Sequence, residues 1–327
     1  MEQKRSEITS ITGERSSAGE MEQGPISILS PTGATENSIG KPKGTSITLP
    51  SSPRLQSAKE TFKSSWIKEL FRKDCSTWDA LKIALAEFIG TAILVFVGCM
   101  GCVASLGNEP PLLNVALTFG FAVTVIAQSI GHISDAHINP AITVGAVVLG
   151  KKSLQAASVY VVAQCLGAVM GYGLLKVVTP QVLLYGTAGP ESARNFCITE
   201  IHKDISLIQG LLAEVFSTAI LMFMTCANWD VRNERNSDSV AIKAGLAVAV
   251  LCMAFAPYTG CSMNPARSLG PALWNNSWGY HWVFWFGPIG GALLASIVYR
   301  SVFSPRKCNL EECVGLNGVE TQKAEQI

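Results

Sequence analysis

His137-Ile138-Asn139-Pro140-Ala141 and, 125 residues later, Ser262-Met263-Asn264-Pro265-Ala266 carry the same Asn-Pro-Ala triplet. Asn is a favoured helix N-cap and Pro is preorganised for the first helical position, so each triplet is a compact helix start. A longer echo accompanies them. Ala86-Glu87-Phe88-Ile89-Gly90-Thr91-Ala92-Ile93-Leu94 returns 127 residues on as Ala213-Glu214-Val215-Phe216-Ser217-Thr218-Ala219-Ile220-Leu221. One triplet would be weak, since Asn-Pro is a common turn. Two triplets at nearly the offset of a nine-residue echo mark an internal duplication.

Outward from these stretches the chain is apolar. A transmembrane helix needs about 20 mainly apolar residues, and six segments approach that length: 81–106, 112–133, 154–178, 208–227, 242–256 and 281–299. The fifth is short, but Lys243 at its edge can snorkel. Each half thus holds three spans, and an odd number of crossings inverts the second half relative to the first. Each triplet is followed by an apolar stretch too short to cross, 142–149 and 269–273. The predicted fold is an all-α membrane protein of six transmembrane helices plus two re-entrant half-helices in inverted repeats, about 77–179 and 205–302. Lys151 and Lys152 follow the second span, Arg232 and Arg235 the fourth, and Arg300, Arg306 and Lys307 the sixth. With the basic cluster before the first span these groups share one side, cytoplasmic by the positive-inside rule, which places both termini in the cytosol. Arg194, Lys203 and Arg267 are exceptions. The first triplet then lies on the cytoplasmic side and the second on the outer side.

Composition agrees. The 327 residues are 48% hydrophobic and 15% charged, against roughly 25% charged in a soluble domain. A net charge of +1 implies no nucleic-acid partner. The ten cysteines are scattered singly, and Cys99, Cys165, Cys226 and Cys252 within apolar runs read as buried thiols. Residues 1–19 hold no apolar core, so no cleavable signal is expected. Residues 1–62, rich in Ser, Thr, Gly and Pro, read as a disordered cytoplasmic tail, and 303–327 as a second. Ser30, Ser52 and Ser304 each precede Pro but are expected to be unmodified, as are Cys308 and Cys313. Trp66, Ile67, Leu70 and Phe71 recur at helical spacing among lysines and arginines, as in an interfacial helix.

Two half-helices meeting by their N-termini aim two positive dipole ends and two Asn amides at one point. Cations are repelled there, and a water oxygen can accept from the amides. The small Ala after each Pro lets the turns approach. Here the chain resembles the aquaporin (major intrinsic protein) family over about 77–302, within a channel domain of 63–302. Ser134-Asp135-Ala136-His137-Ile138-Asn139-Pro140-Ala141, Thr259-Gly260-Cys261-Ser262-Met263-Asn264-Pro265-Ala266-Arg267 and His281-Trp282-Val283-Phe284-Trp285 carry the likeness. The electrostatic barrier is of the kind known for channels of that type. The resemblance implies a homotetramer with one pore per subunit in the plasma membrane. It also implies an outer selectivity filter of Phe119, Cys252, Cys261 and Arg267.

Cys252 stands where water-selective members usually carry His, which implies a wider, less polar filter passing water and also glycerol or urea. Ser268, Ala272, Phe284 and Trp285 resemble the water-selective members, whereas glycerol facilitators typically place Asp after the Arg. The reading is a water-channel lineage with a relaxed filter, similar to a group of insect channels, with a strict water channel as the alternative. Cys261 resembles a mercury-sensitive thiol of the family.

Glu87, Glu214 and His137 are expected to support the re-entrant loops, since a proton path would need a chain of titratable groups. His132 and His137 have no partner at ligand spacing, so no metal is expected, and no cofactor. No nucleophile, base and orienting group converge, which argues against an enzyme. A secondary transporter also uses inverted repeats and broken helices, but its coupling carboxylates are missing from the expected central site. Asn275-Asn276-Ser277 is a sequon on the expected outer side, making Asn275 a possible glycosylation site. Gly167 with Gly171, and Gly287 with Gly291, have the spacing of close helix crossings. Asp135 near the cytoplasmic mouth receives no physical account from the sequence.

Overall fold

Each apolar run closes its backbone hydrogen bonds within itself, as hydrocarbon demands, and so forms a helix. The structure, a computed structural model, describes residues 70–72, 74, 76–103, 110–185 and 196–304. The 1–62 tail, the C-terminal tail beyond Ser304, Arg194 and most of the expected interfacial helix lie outside these residues.

The helices are α1 (Thr77–Met100), α2 (Leu112–Ser134), α3 (Pro140–Val148), α4 (Leu154–Val178), α5 (Gln181–Tyr185), α6 (Leu207–Asn228), α7 (Val240–Thr259), α8 (Pro265–Asn275) and α9 (Val283–Val298). A 3-10 turn, Val231–Ser239, leads into α7, and a π turn, Tyr299–Phe303, continues the last span beyond α9. Among the described residues, six helices are long and apolar enough to cross a membrane. Their starts are set by side chains: Ser76 caps α1, Ser153 caps α4, and Ser206 with Gln209 forms a capping box on α6. The half-helix α8 spans eleven residues, longer than the apolar stretch 269–273, because the Asn-Pro start fixes its first turn ahead of its apolar residues. The short helix α5 has no counterpart among the segments read from the sequence.

The halves pack as images of each other. α1 lies chiefly against α4, and its counterpart α6 against α9, while α2 and α7 join the two halves. Each half-helix is held by the third span of the other half, α8 by α4 and α3 by α9. The glycine pairs explain the crossings. A Cβ on Gly167 or Gly171 would collide with the backbone carbonyls of Phe88 and Ala92, and one on Gly291 with that of Val215. Both pairs therefore serve contacts within the subunit. The outward faces carry Val162, Leu166, Phe216 and Ile220, all exposed, suited to lipid or a neighbouring subunit.

One expectation is corrected. Cys99 is not a free thiol: it forms a disulfide with Cys197, 98 residues away. Among the described residues Cys226 and Cys252 are free and buried, as expected, whereas Cys165 is free but only half-buried. The pairing is hidden in the sequence because Cys197 lies outside the apolar runs and single scattered cysteines carry no connectivity.

The candidate pore

α3 and α8 meet by their N-termini. The Asn139 Oδ1 accepts from Ala141 N at 2.8 Å, and the Asn264 Oδ1 from Ala266 N at 3.0 Å and Arg267 N at 3.3 Å. Each amide also reaches across. Asn139 Nδ2 donates to Met263 O at 2.8 Å, and Asn264 Nδ2 to Ile138 O at 2.7 Å. An Asn amide has two N–H donors, so one on each side is spent joining the turns and one is left. Pro140, Ala141, Pro265 and Ala266 are all buried at this junction.

The turns need support because Ile138 and Met263 have φ of 44° and 50°, a region that is costly for a β-branched residue such as Ile138. The two repeated glutamates supply it. Glu87 accepts from His137 N at 2.9 Å, Ile138 N at 2.7 Å, Ser134 Oγ at 2.7 Å and Gln164 Nε2 at 2.8 Å. Glu214 accepts from Ser262 N at 2.9 Å, Met263 N at 2.8 Å and Thr259 Oγ1 at 2.6 Å. Both carboxylates are fully buried, and their oxygens are occupied by donors from the turns and from the helix residues beside them.

One cavity runs along most of α2 and α7 beside this junction. Along α7 it is lined by Val240, Ala244, Val248, Cys252 and Ala256, and along α2 by Val115, Phe119, Val123 and Ala127. Spacing by four residues puts each set on one helix face, so this wall is apolar. The opposite wall is made of the turns: Asp135 to Asn139 from one half, Gly260 to Asn264 and Arg267 from the other. Phe119, Cys252, Cys261 and Arg267 all line the cavity, and the structure brings the four together. The Arg267 guanidinium lies 4.8 Å above the Phe119 ring and donates from NH1 to Cys197 O at 2.8 Å. Cys261 Sγ lies 3.4 Å from Leu251 O.

We call the end bearing Lys151, Lys152 and Arg232 the inner end. There, His137 is buried with its ring 4.8 Å from Tyr160 and 5.3 Å from Trp229, and its Nδ1 is 3.1 Å from Thr143 Oγ1. His132, by contrast, is exposed on α2. Asp135 closes α2 and carries an ion pair. It ends α2 in the left-handed region at φ 65°, which Asp tolerates, and pairs with Lys152 at 2.9 Å. Lys152 also sits 5.2 Å over the Tyr160 ring. Burial opposes the Lys152 charge, but its polar neighbours Tyr160 and Asp135 prevail and raise its pKa.

Asn275, the first residue of the sequon, has a defined place in the fold. It is buried at the end of α8, with Nδ2 donating to Tyr172 OH at 2.7 Å and Oδ1 accepting from Lys176 Nζ at 3.2 Å. Its amide thus ties the end of α8 to α4. The residues that sequence reasoning misses are Cys197, whose carbonyl holds Arg267, and Gln164 and Thr143, which bond each other at 3.0 Å beside Glu87. Their roles depend on neighbours far along the chain.

Six spans in inverted halves around a cavity lined along most of α2 and α7 have the architecture of a membrane channel. The Major intrinsic protein family model matches residues 74–299, and the chain belongs to that family. It is 39% identical over 228 residues to mouse (Mus musculus) aquaporin-4, covering 68% of each chain. To aquaporin-2 of Rattus norvegicus it is 35% identical over 249 residues, covering 74% of this chain and 89% of that one. The X-ray structure of the aquaglyceroporin from Plasmodium falciparum shares the fold, with TM-score 0.60 and 23% identity over 68% of this chain and 96% of that one. The chain is a passive channel for water and small solutes, and not an enzyme.

Proposed function

We propose that this channel passes water and also small uncharged solutes such as glycerol and urea, while excluding ions and protons. The observation that carries the solute range is Cys252, which lines the cavity together with Cys261, Phe119 and Arg267. A thiol is smaller than an imidazole and a weaker hydrogen-bonding group, so the constriction is wider and less demanding than one lined by His. The apolar faces of α2 and α7 suit the carbon side of a polyol, and the turns supply its hydroxyls with partners.

Ion exclusion follows from the two helix N-termini, the remaining amide N–H of Asn139 and of Asn264, and the Arg267 charge, all of which disfavour cations. Glu87 and Glu214 have their oxygens committed to the turns and to the helix residues beside them, which supports a channel over a transporter with carboxylates free to couple ions. His137 and the two glutamates act as loop supports, and Cys261 is a thiol within reach of mercurials. In this reading the protein is a homotetramer in the plasma membrane with both termini cytoplasmic, its exposed apolar faces covered by lipid and by neighbouring subunits.

The test is Cys252→His in proteoliposomes. Glycerol and urea permeability should fall by about tenfold, the effect of one lost or gained interaction near 1.4 kcal/mol, with water permeability retained. Equal solute flux in both proteins would remove Cys252 from the argument, and no solute flux in either would make this a strict water channel.

A further inference from the structure

Arg267 is a long, flexible side chain, and its position in the constriction depends on a fixed acceptor. That acceptor is the carbonyl of Cys197, 2.8 Å from NH1, with the Cys197 Sγ 3.7 Å from NH2. Cys197 belongs to a short strap over the outer mouth. Phe196 O accepts from Tyr172 OH at 2.9 Å and from Asn275 Nδ2 at 3.3 Å, and Thr199 Oγ1 donates to Ser268 Oγ at 2.8 Å. The covalent tie of this strap is the disulfide to Cys99, fully buried near the outer end of α1. Cys99 has a second connection to the constriction. The residue before it is Gly98, where any Cβ would collide with the Phe119 ring. The disulfide thus links the helix that seats Phe119 to the loop that holds Arg267, and those two side chains stack on each other.

We propose that the Cys99–Cys197 disulfide is a positioning device for the constriction: it fixes the Cys197 carbonyl against Arg267 and thereby sets the size limit on passing solutes. Without it the strap keeps only its hydrogen bonds, the Cys197 carbonyl moves, and the guanidinium loses its fixed partner. The outer side of a membrane is oxidising, where such a bond persists. The proposal rests on the channel reading above and on the orientation that places α1's end outside.

The test uses the full chain in proteoliposomes, with formamide, urea and glycerol as a ladder of increasing size. It compares Cys99→Ser, Cys197→Ser and the double variant with wild type before and after a membrane-impermeant phosphine. The phosphine gives two electrons to the disulfide, leaving two thiols, and ends as the phosphine oxide with oxygen from water. The proposal expects the glycerol-to-water permeability ratio to rise about threefold or more, the worth of one hydrogen bond, in the variants and in reduced wild type. The double variant should match either single, and reoxidation should restore the wild-type ratio. A purely structural role would lower water and solute flux together, leaving the ratio unchanged. An unchanged ratio, with reduction verified by thiol labelling, overturns the proposal. Reduced wild type gives the answer even if the serine variants fail to fold. If wild type excludes glycerol and urea, the relaxed-filter reading fails, while a shift of the limit towards formamide still reports on the disulfide.

Discussion

Arg267 is the residue on which the proposed selectivity rests, because it brings a charge to the cavity wall while holding two partners, Phe119 and the Cys197 carbonyl. Arg267→Ala is expected to raise proton leak, read with a pH-sensitive dye in vesicles, by about tenfold, since a hydrogen bond to a charged group is worth at least about 1.5 kcal/mol. Unaltered proton exclusion would place the barrier at the Asn139 and Asn264 junction alone. Glu87 makes a different prediction. Glu87→Gln puts an NH2 where an oxygen accepts two buried donors, and each unmatched donor costs about 1–3 kcal/mol. The melting temperature of the purified protein should drop clearly, and an unchanged value would show that the loop finds other acceptors. Much of this is legible in the sequence, because an Asn-Pro-Ala cap and a repeated Glu act locally and recur. The Cys99–Cys197 bond, the Asp135–Lys152 pair and the burial of Asn275 are not, because each joins segments that only the fold brings together.

Among elements, the crossings of α1 with α4 and of α6 with α9 depend on glycine. Gly171→Leu would drive a side chain into the Ala92 carbonyl, where overpacking costs about 1–3 kcal/mol or more. Gly131→Ala is the control, since a Cβ there meets nothing within 4 Å. Loss of folded protein in the first and not the second, measured by size-exclusion chromatography, is the expected result, and equal yields would contradict the close crossing. Helix limits are readable wherever a cap or an apolar edge marks them, so α4 begins and ends at the expected residues. The start of α8 escapes an apolar scan because its first turn is polar. At the inner end, the elements have a tie of their own. Asp230 accepts from Arg232 Nε at 2.8 Å and from Tyr299 OH at 2.9 Å, while Arg232 NH2 donates to Phe303 O at 2.6 Å, joining the α6–α7 connection to the end of the last span. The hydrogen bond from Arg232, against some burial, holds the Asp230 carboxyl well below the usual carboxylate range. A depressed carboxyl stabilises above its unfolded pKa, about 3.9, and that stability is lost only as pH falls through the folded value. The tie should therefore persist through mildly acid conditions, whereas Asp230→Asn weakens it at neutral pH. A melting temperature of wild type that falls between neutral pH and about pH 5, with the variant's unaffected, would reverse this assignment.

For the whole molecule, two inverted halves place two helix N-termini at one point beside a cavity lined along most of α2 and α7, and the account stands on that cavity being an open, passive path. The most direct measurement is stopped-flow light scattering on proteoliposomes of the wild-type chain beside protein-free vesicles. Shrinkage under an impermeant osmolyte should be much faster with the protein, and reswelling should follow under glycerol and urea gradients. Shrinkage no faster than in protein-free vesicles would contradict the account.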